Sequence, residues 1–205
     1  MESLSQLALA GGLAWASGIR LYATIFIVGL LARLGYLSLP DQLVVLQHTW
    51  VLTAAGIMVL GEFFADKVPG FDSLWDAVHT FIRIPAGAML AAGAVGDVTP
   101  ALAVAAGLVG GSVTAATHAT KAGTRMLINT SPEPFSNWFA SIGEDLAVFA
   151  GLWAALAHPV IFLILLFLFL LALWWLLPKV WRGVKAVFRK IASLFGRRPE
   201  NPSPV

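Results

Sequence analysis

Cysteine is absent from the 205 residues, so the chain has no disulfide framework, thiolate metal site or thiol nucleophile. Charge is scarce too. Asp, Glu, Lys and Arg make up 12% of the residues, about half of the roughly 25% usual in soluble domains, which is too little to cover a soluble fold. No Gly-x-Ser-x-Gly, His-Glu-x-x-His or phosphate loop occurs, so an enzyme reading has no motif to stand on. The acidic spacing also fails to match the phospholipid-forming alcohol phosphotransferases. Met1-Glu2-Ser3 lacks the basic start of a cleavable signal peptide, and the first apolar segment is expected to remain as a membrane helix.

What is present suits lipid as solvent. Hydrophobic residues make up 59% of the chain and eight of them are Trp; mean hydropathy is +0.83. Long Ala/Gly/Leu/Val tracts let helices approach closely, and Trp favours the membrane interface. The expected fold class is all-α and polytopic. The net charge of +2 hides an asymmetry. Residues 179–205 hold seven basic groups and one acid, +6, against 6 − 10 = −4 in the other 178. A transmembrane domain over 1–178 and a basic cytoplasmic tail over 179–205 follow. Directly after an apolar span, such a tail points to anionic lipid headgroups rather than nucleic acid.

Along the chain, segment one covers about 4–34 with Arg20 in its middle, and segment two about 50–66, stopped by Lys67-Val68-Pro69-Gly70 because Pro and Gly oppose helix. Residues 71–83 read as an interfacial helix with apolar positions 71, 74, 75, 78, 81 and 82 on one face, capped by Asp72 or Ser73, then continuing past Pro85 through 84–96. Segments four and five cover about 101–129 and 136–157. Segment six, 160–177, is 18 uninterrupted apolar residues. About 20 residues cross a bilayer, which gives six crossings. Placing the basic tail inside puts both termini in the cytoplasm of a bacterial inner membrane, with Lys67 and Arg83 inside as well.

Two stretches share an order. Gly18-Ile19-Arg20, Pro40-Asp41, Trp50 and Gly61-Glu62 are echoed by Gly123-Thr124-Arg125, Pro132-Glu133, Trp138 and Gly143-Glu144. The Arg-to-Glu spacing differs, 42 residues and then 19. Repeats over about 5–97 and 100–178 would each hold three crossings. An odd number makes the second copy start from the opposite side, an inverted repeat of the kind found in secondary transporters.

A charge at the bilayer centre costs about 2.5–3.5 kcal/mol on insertion scales and so faces the bundle interior with a partner. The candidates for a solute or ion pathway are Arg20, Glu62, Asp66, His118, Lys121, Arg125, Glu144 and Asp145. Glu62 and Asp66 share a helix face, as do His118, Lys121 and Arg125. The competing reading is a set of buried ion pairs that only fix helix register. Glu62, Asp66, Asp72, Asp76 and His79 flank the Pro-Gly break and could gather oxygens for a divalent cation, or serve as helix caps and interfacial charges. The loop Ser131-Pro132-Glu133-Pro134 with Ser136 and Asn137 reads as a gate or as a rigid, well-capped turn. Residues 180–195 alternate apolar positions with Lys and Arg. They read as an amphipathic helix on the inner leaflet, with Lys179, Arg182, Lys185, Arg189 and Lys190 meeting lipid headgroups.

Gly18-Ile19-Arg20-Leu21-Tyr22, the 62–83 stretch centred on Ala65-Asp66-Lys67-Val68-Pro69-Gly70, and 131–138 followed by Glu144-Asp145 together resemble a family of small bacterial inner-membrane proteins, domain of unknown function 4126. The likeness covers about 5–157, with the sixth span and tail outside it. The resemblance implies an integral membrane location. It implies no activity, and no site residues carry over from it. The expected function is transport of a small solute or ion by a homo-oligomer associating through Gly/Ala-rich faces. The alternatives are a lipid-interacting scaffold acting through its tail and a metal-dependent membrane enzyme on lipid-linked substrates.

Overall fold

A computed structural model describes residues 2–68, 70–130 and 135–195. Those residues form helices and no strand: α1 Glu2–Arg33, a 3-10 turn Asp41–Gln47, α2 Thr49–Ala65, α3 Phe71–Ala94, α4 Pro100–Ile128, α5 Phe135–Ala157 and α6 Pro159–Phe195. Five of the α-helices, all but α2, are long and apolar enough to span a membrane; α2 qualifies only with its 3-10 lead-in, from which it is bent by 65°. The protein is a multi-pass helical membrane protein. Large apolar side chains such as Phe81, Met89, Leu108, Phe139 and Trp174 lie on the outside, as lipid solvation requires.

Segment one is not a single straight helix. Arg20 leaves the helical conformation at φ −141° and ψ 81°, and the chain turns back there. Gln6 and Pro40 both lie within 4 Å of where a Cβ on Gly96 would sit. In a straight helix Gln6 and Arg33 would stand about 40 Å apart, and the seven residues from Arg33 to Pro40 reach at most about 25 Å. α1 is therefore a V with Arg20 at its vertex. Its first arm runs parallel to α4: Thr114 Oγ1 donates to the Ala14 carbonyl and Lys121 Nζ to the Ile19 carbonyl. Its second arm runs back beside α2, with Arg33 donating to the Thr49 hydroxyl at 2.8 Å and Phe26 against Gly56. An inverted repeat would set segments one and four antiparallel, and these contacts do not draw that arrangement.

α3 replaces the interfacial helix with one continuous helix through Pro85. Its apolar positions Phe71, Leu74, Val78, Phe81 and Ile82 face outward, whereas Asp72, Asp76, His79, Arg83, Gly87, Leu90 and Ala94 are buried. The polar stripe is thus the inner face, the reverse of a soluble amphipathic helix. Arg83, expected at a loop end, is fully buried. Small residues bring α3, α4 and α1 together: a Cβ on Gly87 would strike the Thr114 side chain, and one on Gly18 would lie 2.7 Å from the Thr114 carbonyl.

The sixth segment and the tail helix are one helix, α6, continuous through Pro178. Most of the apolar positions proposed for the amphipathic stretch, and the Lys190 side chain, lie outside the described residues, as do Ser131 to Pro134 and 196–205.

Along the bundle axis the order is clear. Ser5, Gln6, Asp41, Gln42, Asp97 and Leu156 share one end. Leu9, Leu13, Leu43, Leu90, Ala91 and Ala94 belong to a buried apolar cluster, and the charged side chains of α2 to α5 gather beyond it. Gly183 of α6 meets Leu127 at the far end of α4, so the basic end of α6 lies on the face opposite Asp41 and Asp97.

Candidate functional site

The break at Arg20 gathers most of the buried charge. Removing one residue from the helical pattern frees the Ile19 carbonyl, and two cations take it: Arg83 Nη1 and Lys121 Nζ, each at 3.1 Å. Thr24 closes the second arm by donating to the Arg20 carbonyl at 2.8 Å. Irregular backbone is tolerated at membrane depth only where protein groups satisfy it. Here protein cations do so.

Arg20 reaches across three elements. It pairs with Asp66 at the end of α2, with Asp145 of α5 at 2.9 Å, and donates to the Ser141 hydroxyl at 2.8 Å. Glu144 stands 3.6 Å away. Arg125 of α4 takes Glu144 in a two-pronged pair, both bonds 2.9 Å, and donates to the Asn137 carbonyl at 3.0 Å. Its Nη2 also stands 3.6 Å from Asp66. The two arginines matched by the sequence thus converge on the same carboxylates, Asp66 and Glu144. Such bidentate arginine pairs are the stronger ion pairs and fix geometry as well as charge.

Lys121 is the hub. Its ammonium lies 3.5–3.8 Å from carboxylates of Glu62, Asp66, Asp76 and Glu144. Arg83 pairs with Glu62 and stands 3.2 Å from Asp76. His118 joins through its ring. Thr80 spends its hydroxyl proton on the Asp76 carbonyl at 2.8 Å, so it accepts from His118 Nε2 at 2.7 Å. That leaves His118 Nδ1 to accept from Arg83 Nη1 at 3.4 Å.

All eight pathway residues read from the sequence, Arg20, Glu62, Asp66, His118, Lys121, Arg125, Glu144 and Asp145, therefore meet in one network. Glu144 and Asp145 form its exposed edge, with side chains 18% and 43% accessible. Sequence reasoning missed Thr80 and Ser141, and it placed Arg83 and Asn137, as a cytoplasmic charge and a helix cap, without joining them to the network. The spacing of Asp76, Thr80 and Arg83 on one face of α3 was the available signal, hidden by treating the stretch as an interfacial helix.

Of the divalent-cation residues, Glu62, Asp66 and Asp76 converge on the Lys121 ammonium, where a protein cation already stands, and Asp72 and His79 turn to other partners. Glu62, Asp76 and Asp66 turn to Arg83 and Arg20. Asp72 Oδ1 accepts from the backbone N–H of Gly70 and Ser73 and from the Asn129 amide at 2.7 Å. His79 stacks on Trp75 and donates from Nδ1 to its carbonyl. Among the described residues, no group of three or more His, Asp or Glu is placed to hold a metal ion.

Four cations, Arg20, Arg83, Lys121 and Arg125, thus face five carboxylates, Glu62, Asp66, Asp76, Glu144 and Asp145, with Asp72 held apart by its own cap. Three carboxylate oxygens remain buried with neither a hydrogen bond nor an ion pair, Glu62 Oε2, Asp66 Oδ1 and Asp76 Oδ2, whereas Asp66 Oδ2 and Asp76 Oδ1 are held by ion pairs. The Ser17 and Thr117 hydroxyls beside the break are unpartnered as well. The arrangement is chemically a polar seam with one negative charge in surplus and unused acceptors.

A family described as domain of unknown function (DUF4126) matches residues 7–179. The chain belongs to that family. The match takes in the whole network and extends through the apolar part of α6, beyond the limit near residue 157 that the motifs alone suggested. No curated protein and no solved structure matches the chain. The DUF4126 region therefore holds every charged residue of the network, while the basic end of α6 after Lys179, with Arg182, Lys185, Arg189 and Lys190, lies beyond it.

Proposed function

We propose that this DUF4126 protein moves a small cation, a proton or a small cationic solute across the bacterial inner membrane. The observation that carries the reading is the break at Arg20: a helix interrupted inside a lipid-facing bundle, with nine charged side chains gathered around the freed backbone. Interrupted helices with charged groups at their break mark solute and ion sites in transporters, and charge at membrane depth is expensive enough to mark function by default. The surplus carboxylate and the unpartnered oxygens favour a positively charged passenger.

In the proposed topology α1 dips in and returns to its own side, and α2 to α6 cross. α2 alone is about 25 Å long, short for a hydrocarbon core of about 30 Å, and its 3-10 lead-in extends it. Five crossings put the termini on opposite sides. The basic end of α6 belongs in the cytoplasm, which places the N-terminus outside and revises the expectation of two cytoplasmic termini. Lys179 over the Trp175 ring at 2.9 Å and Lys185 over Trp181 at 5.5 Å suit a headgroup-level belt, and Arg182 and Arg189 extend it towards anionic lipid. Self-association through outward Gly and Ala positions completes the proposal.

The rival reading is a scaffold whose charges only lock helices, and the complete pairing of Arg125 with Glu144 favours it. Flux from purified protein in liposomes separates the two, with protons, monovalent cations and small anions as probes and Glu144→Gln beside the wild type. The transport reading expects cation or proton flux that the variant loses while its unfolding temperature is retained. No flux of any probe from folded protein in mixed orientation favours the lock.

A further inference from the structure

The end of the bundle opposite the basic helix holds a cavity of about 530 Å³, within the range of small-molecule sites. It opens between the two ends of the α1 V, and the 3-10 turn, the α3–α4 turn and the end of α5 complete its wall. Its polar lining is Gln6, Ser38, Asp41, Gln42 and Asp97, with the Ser5 side chain beside them; no Lys or Arg takes part. Among the described residues, Gln6, Ser38, Asp41, Gln42 and Asp97 make no side-chain hydrogen bond or ion pair with the rest of the chain. Leu9, Leu39 and Leu156 supply apolar wall. Gly96 adopts φ +74°, and a Cβ there would sit 3.3 Å from the Gln6 amide nitrogen, so its backbone comes close to the cavity only because it is glycine.

We propose that this cavity is the outer binding site for a small organic cation, an amine or quaternary ammonium with a short hydrocarbon part; the inference rests on the transport reading above. Four observations select that class. Two unpaired carboxylates without a neighbouring cation reject anions. The volume is far larger than a bare metal ion needs, and among the described residues no three His, Asp or Glu side chains are placed to hold a metal ion. The free amides of Gln6 and Gln42 and the Ser38 hydroxyl can receive an ammonium N–H or its water shell. The leucine wall accepts hydrocarbon. The apolar cluster of Leu9, Leu13, Leu43 and Leu90 lies directly inward of the cavity and separates it from the charged network, whose surplus is also negative. A cation bound at the cavity thus stands one closed apolar layer away from an interior with the matching sign.

The test is equilibrium binding to full-length protein in detergent, with tetramethylammonium, ethanolammonium and guanidinium chlorides as probes and sodium chloride and sodium glutamate at equal ionic strength as controls. The Asp41→Asn/Asp97→Asn double variant is the comparison, because both side chains are exposed and their loss leaves the core untouched. At least one organic cation binds the wild type, and the double variant binds it about tenfold more weakly, with its thermal unfolding unchanged. Equal binding by both proteins, or binding of sodium salts as good as that of the organic cations, overturns the cavity assignment. Binding that depends on Asp41 and Asp97 without flux in liposomes leaves the site standing and removes the transport reading. Flux with no such binding does the reverse.

Discussion

At the scale of single residues, Arg83 carries the greatest structural weight relative to its visibility in the sequence. It joins the freed Ile19 carbonyl, Glu62, Asp76 and His118, and no solvent reaches it. Breaking a buried pair by removing one partner costs about 3–5 kcal/mol, because the other charge is left uncompensated. Arg83→Met should therefore lower the unfolding temperature sharply in detergent. Adding Glu62→Gln and Asp76→Asn to it should recover most of the loss; a triple variant no more stable than the single one contradicts the pairing. Gly87 is the second such residue. A Cβ there would clash with three atoms of the Thr114 side chain, Oγ1, Cγ2 and Cβ, and overpacking costs about 1–3 kcal/mol. Gly87→Ala should destabilise by that amount and Thr114→Ala should partly rescue it, as measured by thermal unfolding of the single and double variants.

At the scale of elements, the sequence supports helices better than it supports paths. The apolar runs behind α4, α5 and α6 are long and were readable from hydropathy. Arg20 was recognised as too costly for a plain span, yet a charge alone does not tell an interior-facing residue from a vertex. The turn at Arg20 is fixed by partners 46 to 125 positions away, from Asp66 to Asp145, and no local pattern announces them. α3 was misread because its outward apolar face and inward polar face look like an interfacial helix when lipid is not counted as the solvent. The chain's lack of cysteine makes the V directly testable. Single cysteines placed by Gln6→Cys and Ser38→Cys should react with a membrane-impermeant maleimide from the same side of the membrane, and Arg189→Cys from the other. Positions 6 and 38 reacting from opposite sides would show α1 to be a full crossing.

At the scale of the whole molecule, three layers stack along the axis: a polar cavity, an apolar layer and a charged interior that reaches the basic end of the bundle. The eight charged and histidine positions singled out from the sequence all fall in the third layer, because membrane-depth charge has few places to go. The cavity was invisible in the sequence, since Gln6, Asp41 and Asp97 come from the start of α1, the 3-10 turn and the α3–α4 turn, and none is unusual at a helix end. The parity argument for an inverted repeat rests, like the single-span reading of α1, on counting segment one as one crossing, and under the proposed topology a vertex at Arg20 changes every later side.

The central claim is that the charged interior is a pathway and not only a lock. Asp66 tests it most directly, because Arg20, Lys121 and Arg125 all face its Oδ2 while its buried Oδ1 has no hydrogen-bond partner. The measurement is cation and proton flux through liposomes holding wild type or Asp66→Asn at equal protein density, with unfolding temperature recorded for both. The account predicts measurable flux in the wild type and a loss of at least about tenfold in the variant, some 1.4 kcal/mol in barrier, from protein that still folds. Equal flux in the two proteins would contradict it.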